Sequence, residues 1–425
     1  MRYQALKIVI AALAAAGFFS TLPAAAAEQR IVAVGDVHGA YGQLVTILQE
    51  AGLIDAETHW IGGSAIFIQT GDLFDRGLEV FEVMDLLMRL QEEAAAAGGR
   101  VEVLLGNHEG MNLIGFFRDV NPEIYARLAD EQSEKRRKQG FKDFRRYLEK
   151  RAAAAGLARP VITDELREKW MQLYPPGRIE YEEAIGPDGR YGSWLRTLPV
   201  ALVEQDTLFI HAGLGPAVEG LSVEQINAKV ASELEAYDRS RRHMIEAGLI
   251  PPHVGLPDML IVYRELEQAG PELAGLAGAD GWLIYGSDGP LWYRGAATLG
   301  AEKDAMAGGG GAGDEDEDIY ATADAGAENG PDEAARVAAF VDRLRAVGAE
   351  RMVGGHTPQK SWRIETRLDG RVILIDTGML SEVYGGRPSA LIIEGDSFTA
   401  VYPDGTEPLE AAPAPAEEEL LPAAA

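Results

Sequence analysis

The chain has 425 residues, 47% hydrophobic and 25% charged, an ordinary globular composition with ample length for a buried core. Its formal net charge of −28 argues against nucleic acid or anionic membrane as partners and obliges any phosphate-handling site to supply its own positive charge. There are no cysteines, so disulfides, thiolate metal sites and a cysteine nucleophile are excluded.

Residues 1–27 read as an export signal. Arg2 and Lys7 give a basic start, Ile8 to Phe19 is apolar, Pro23 breaks the run, and Ala24 to Ala27 supply small residues for cleavage. The mature protein is expected to begin near Glu28, exported to the periplasm or secreted, without stable membrane insertion after cleavage. An uncleaved anchor is the competing reading; the shortness of the run and the interruptions at Gly17 and Pro23 count against it.

Short β-branched runs follow, each ending in glycine and polar residues. Ile31–Val34 leads into Gly35-Asp36-Val37-His38-Gly39. Ala65–Gln69 leads into Gly71-Asp72-Leu73-Phe74-Asp75-Arg76-Gly77. Val101–Leu105 leads into Gly106-Asn107-His108-Glu109, Leu208–Ile210 into His211-Ala212-Gly213, and Arg351–Val353 into Gly354-Gly355-His356-Thr357. Such runs predict buried strands. Helix spacing links Leu44, Ile47, Leu48 and Ala51, and again Val80, Met84, Leu87 and Met88, with a stop at Gly98-Gly99. Two regions, about 118–181 and 219–278, read as helical insertions, the first as a cap over the site. A glycine- and acid-rich stretch, about 307–331, and a tail, 403–425, read as disordered. The folded domain is thus expected over residues 28–402.

Strands alternating with helices predict a layered α/β core, with residues just past the strand ends gathering in one crevice. Four of the seven histidines, His38, His108, His211 and His356, fall at these ends beside Asp36, Asp72 and Asn107. Imidazole, carboxylate and amide oxygen together suit a divalent ion such as Mn²⁺, Fe²⁺ or Zn²⁺. The donors are too many for one tetrahedral zinc and better suit two ions sharing a carboxylate. His59, His243 and His253 lie outside every motif and read as structural or exposed.

Taken in order, these five motifs resemble the calcineurin-like metallophosphoesterase superfamily. Arg76-Gly77 and Glu109 point to its phosphoprotein phosphatase branch, although His211-Ala212-Gly213 stands where that branch usually has His-Gly-Gly. Gly289-Pro290-Leu291-Trp292-Tyr293-Arg294-Gly295, Gly355-His356-Thr357-Pro358 and Ile375-Asp376-Thr377-Gly378 are similar to the Shewanella-like phosphatases. The resemblance implies a four-layer α/β/β/α sandwich with helical insertions and a two-metal hydrolase acting through a hydroxide held between the ions. It implies Asp36, His38 and Asp72 for one ion, and Asp72, Asn107, His211 and His356 for the other. Manganese is the first expectation, iron or zinc the alternatives. It also implies His108 as the acid for the leaving oxygen, Asp75 as its partner, and Arg76, Arg294 and Tyr384 as phosphate-binding residues. The run Gly355-His356-Thr357-Pro358 lacks the second histidine of the Gly-His-x-His found in many diesterases of the superfamily, which favours monoesters. The expected substrate is a phosphoprotein, on Ser/Thr or Tyr. A small phosphomonoester, a dinucleoside polyphosphate, or a non-catalytic metal-binding role are the alternatives.

Overall fold

The computed structural model describes residues 29–266, 268, 270–299 and 333–410. The expected signal segment and the acidic stretch 307–331 lie outside these residues.

The amino-terminal half alternates as the residue pattern predicts. Strand β1 (Ile31–Val34) is followed by α1 (Tyr41–Glu50), β2 (Ile66–Gln69), α2 (Val80–Ala97), β3 (Arg100–Val103) and α3 (Asn107–Leu113). Helix α2 stops where glycine permits it, at Gly98 with φ 82°. The first insertion folds as α4 (Pro122–Leu128), α5 (Ser133–Ala154), α6 (Asp164–Leu173) and α7 (Arg178–Ile185), and α8 (Arg190–Leu195) leads out of it. The hairpin β4 (Ala201–Glu204) and β5 (Thr207–Ile210) precedes α9 (Val223–Glu246) and α10 (Leu256–Arg264). A helix at Glu333–Ala346 then feeds β6 (Arg351–Gly354). Strands β7 (Glu365–Arg367), β8 (Val372–Leu374), β9 (Ala390–Glu394), β10 (Ser397–Tyr402) and β11 (Gly405–Leu409) complete the chain order.

Two sheets result, ordered β11-β10-β9-β1-β2-β3 and β4-β5-β6-β8-β7. Side-chain alternation divides each strand between two cores. Ile31, Ala33, Ile66 and Ile68 of the first sheet meet Phe209, Val353 and Ile373 of the second in a layer between them. Val32, Val34 and Phe67 face the other way and pack with Leu44, Ile47 and Leu48 of α1 and Val83, Met84 and Leu87 of α2. Each such fully buried Ile, Leu or Phe contributes about 1.5–3 kcal/mol. Burial on both faces explains why these strands are short unbroken apolar runs. The result is the expected α/β/β/α sandwich.

The tail differs from expectation. Residues 405–409 are not disordered but pair antiparallel with β10, from Tyr402↔Gly405 to Phe398↔Leu409. They form a polar edge strand, which leaves almost no hydrophobic trace in the sequence.

Register fixes the site. β1, β2 and β3 run parallel with Val34, Gln69 and Val103 level. β5, β6 and β8 run parallel with Ile210, Gly354 and Leu374 level. All the motif loops therefore leave the two sheets at carboxyl ends.

Candidate active site

Asp36 and His38 follow β1, Asp72 to Arg76 follow β2, and Asn107 and His108 open α3 after β3. His211 follows β5, and His356 lies two residues past the end of β6. The motif glycines let these loops touch. A Cβ on Gly106 would collide with Asp72 Oδ1, and one on Gly355 with Asp36 Oδ1. The segment carrying Arg294 reaches the site because the Ala212 amide donates to the Pro290 carbonyl, 3.1 Å.

Asp36, His38, Asp72, Arg76, His108, Arg294, His356 and Tyr384 line one cavity, together with Pro358 and Asp376. Asn107, His211 and Asp75 stand buried behind it, Asn107 bonded to His356 and Asp75 to His108 of the lining, and His211 to Asn107. Donor atoms of His38, Asp72 and His108 lie within 4.8 Å of one another, as do those of Asp72, His211 and His356. Asp72 is common to both groups. Its Oδ2 is 3.7 Å from His38 Nε2, 3.9 Å from His108 Nε2 and 3.4 Å from His211 Nε2. Asn107 Oδ1 meets His211 Nε2 at 2.8 Å and His356 Nδ1 at 2.9 Å. Asp36 stands 4.0 Å from His38 Nε2 and accepts from the His356 amide at 3.0 Å.

The far nitrogens of three imidazoles meet backbone carbonyls. His38 Nδ1 donates to Phe74 O at 2.8 Å, His211 Nδ1 to Thr70 O at 2.9 Å, and His356 Nε2 to Trp292 O at 3.2 Å. These bonds orient the rings so that the near nitrogens of His211 and His356 converge on Asn107 Oδ1 and that of His38 faces Asp72, the inward orientation metal ligands require. Burial drives His38 and His356 well below the usual histidine range, so both are neutral. Burial and neighbouring carboxylates push Asp36 well up, and burial does the same for Asp72. A site of neutral imidazoles and crowded carboxylates fits a divalent cation, which would restore both carboxylates to their charged form.

His108 is placed differently. Its Nδ1 donates to Asp75 Oδ2 at 2.6 Å, which turns Nε2 towards the cavity. Burial raises the Asp75 carboxyl to about 7. Arg76 crosses the Tyr384 ring at 5.2 Å, and that ring stacks on His38 at 5.6 Å. Arg294 donates to the His356 carbonyl at 3.0 Å and to Thr357 Oγ1 at 3.2 Å.

Sequence reasoning assigned no role to several residues that hold this arrangement. Glu109 accepts from the amides of Asp72 (2.7 Å), Leu73 (2.7 Å), Phe74 (3.1 Å) and Gly106 (2.7 Å), tying two motif loops together. Asn112 donates to both Asp75 oxygens at 3.1 Å and accepts from the Tyr181 hydroxyl at 2.6 Å. Asn112 lies four residues after His108 on one helix, so its placement was readable from helical spacing. Tyr181 comes from the first insertion and gave no signal. Neither insertion contributes to the described cavity lining. The first one supports the site from behind through Tyr181, because its hydroxyl is buried against α3, and does not cap it.

A family model for calcineurin-like phosphoesterases matches residues 29–241, half of the chain. The chain belongs to the calcineurin-like phosphoesterase family. Its similarity to Shewanella-like protein phosphatase 1 of Plasmodium berghei is 27% identity over 227 residues, 52% of this chain and 51% of that one. Shewanella-like protein phosphatase 2 of Arabidopsis thaliana is 29% identical over 228 residues, covering 50% of this chain and 54% of that protein. The matches thus span about half the length of these two phosphatases. Among solved structures, a cold-active protein-tyrosine phosphatase of a psychrophilic Shewanella shares the fold, with TM-score 0.54, 22% identity, and coverage of 90% of this chain and 81% of that one.

Proposed function

We propose that this calcineurin-like phosphoesterase is a metal-dependent phosphatase that hydrolyses phosphate monoesters, with phosphorylated proteins as its substrates. The observation that carries this reading is the His108–Asp75 pair beside the shared-carboxylate donor groups, in a cavity that also holds Arg76 and Arg294. Metal binding alone needs neither the pair nor the arginines. The protein phosphatases among the relatives support the substrate class.

Asp36, His38 and Asp72 would hold one divalent ion, and Asp72, Asn107, His211 and His356 the second, with manganese the expected metal. Such ions, when bound, lower the pKa of water and polarise phosphoryl oxygens. The chain's own groups do the rest. Arg76 and Arg294 fork the phosphate oxygens and offset charge as it builds. Tyr384, stacked between Arg76 and His38, holds the Arg76 guanidinium over the cavity. As water adds to phosphorus and the ester P–O bond breaks, His108 Nε2 passes its proton to the departing oxygen. Asp75 fixes the tautomer at Nδ1 and stabilises the charged ring before transfer. The basic and apolar start of the chain supports export as the setting for this activity.

The test is leaving-group dependence. A serine alkoxide needs its proton far more than a phenolate does. His108→Ala should therefore lower kcat on a phosphoserine peptide by about 10²–10⁴-fold, the usual range for a positioned acid, and on an aryl phosphate by much less. Equal losses on both substrates would remove His108 from this role.

A further inference from the structure

Asp376 follows β8, two residues beyond Leu374, which stands level with Ile210 of β5 and Gly354 of β6. It thus leaves the second sheet at the edge that delivers His211 and His356. It is 2% exposed and lines the same cavity as Asp36 and His38. Its Oδ1 accepts from the Gly378 amide at 2.9 Å, and its backbone carbonyl accepts from the Gln359 amide at 3.0 Å. Its Oδ2 is buried with no hydrogen-bond partner.

An unpartnered buried carboxylate oxygen is costly. Asp376 also shares this enclosed space with the Asp36 and Asp72 carboxylates, whose mutual repulsion Arg294 and Arg76 offset only in part. Nothing in the turn demands the second oxygen, since Oδ1 alone closes the Gly378 contact. A cation on the Asp36 side would satisfy both facts. That side also lacks the second histidine of Gly-His-x-His, Pro358 standing at its place in the cavity lining.

We propose that Asp376 is a further carboxylate of the metal centre, serving through Oδ2 the ion held by Asp36, His38 and Asp72. The inference rests on reading the site as a two-ion centre. Asp376 takes up the position on this ion left open at Pro358 and sets its affinity.

The full chain is stripped of metal, and Mn²⁺ is titrated calorimetrically into wild type and Asp376→Asn. The amide keeps the acceptor for Gly378 and removes the charge. One of two Mn²⁺ sites should weaken by about 10- to 100-fold, with the other unchanged. The metal-free melting temperature should stay level or rise, because a repelling buried carboxylate has gone. Asp376→Ser, whose hydroxyl also accepts from Gly378, should give the same loss of one site and covers a failure of the first variant to fold. Two sites of unchanged affinity in a folded variant would overturn the role of Asp376 alone. A wild-type chain that takes up no Mn²⁺ would overturn both the inference and the metal-centre reading beneath it.

Discussion

Five residues of the candidate site sit in the left-handed region of backbone space: His38 (φ 48°), Asp72 (59°), Asp75 (67°), Arg76 (65°) and His356 (65°). Each such non-glycine conformation costs on the order of 1–3 kcal/mol and persists only where its surroundings fix it. The fixing bonds are visible. The Val37 and His38 amides both donate to Asp72 O at 2.9 Å, and Glu109 takes the Asp72 and Leu73 amides. The left-handed turns in the loop after β2 aim its side chains apart, so that Asp72 faces the imidazoles, Asp75 faces His108, and Arg76 faces the cavity. Asp75 carries a prediction at this scale. Its carboxyl, raised by burial to about 7, is charged above that pH and neutral below it. Only the charged form stabilises a protonated His108. kcat on phosphoserine should therefore rise as pH increases through about 7, and Asp75→Asn should flatten that limb while lowering the plateau. A pH–rate profile of the two proteins checks this.

Helix α3 is the element on which the chemistry turns. Its first residues are Asn107 and His108, its Glu109 side chain closes back on the Gly106 amide, and its Asn112 reaches Asp75. Tyr181 of α7 secures that helix from the insertion side. Tyr181→Phe leaves Asn112 Oδ1 buried without its donor, at a cost of about 1–3 kcal/mol in stability. It should lower kcat on phosphoserine several-fold with little change in KM, since in the proposed mechanism the loosened Asp75–His108 pair serves the leaving group and not binding. Thermal melting and steady-state kinetics read the two effects separately. The first two strands were legible because burial on both faces writes near-continuous apolar runs, the third because Val101, Val103 and Leu105 keep an apolar face, and glycine follows each. Asp36, His38, Asp72, Asn107, His211 and His356 were legible as a set for the same reason, as each follows such a run. Tyr181 was not, because its contact depends on how an insertion folds back over α3. Strand β11 was not, because it is an edge strand with Pro408, exposed and without an apolar face.

At the scale of the whole molecule, two sheets stack so that their carboxyl ends share one crevice, and each supplies part of the donor set. The first gives Asp36, His38, Asp72 and Asn107, and the second gives His211 and His356. Neither sheet alone holds a complete site, so the inter-sheet core of Ile31, Ile68, Phe209 and Val353 also sets the spacing between donor groups. A chain of net charge −28 places arginines at this crevice, where an anionic substrate meets local positive charge in spite of the overall field. The most direct test of the central claim is phosphate release by the chain starting at Glu28, stripped of metal and then given Mn²⁺, with an aryl monoester offered beside its diester and Asp72→Asn as the control. Metal-dependent turnover of the monoester that disappears in Asp72→Asn is expected, with the diester the poorer substrate. Preference for the diester, or no turnover of either substrate by metal-loaded protein, would contradict that claim.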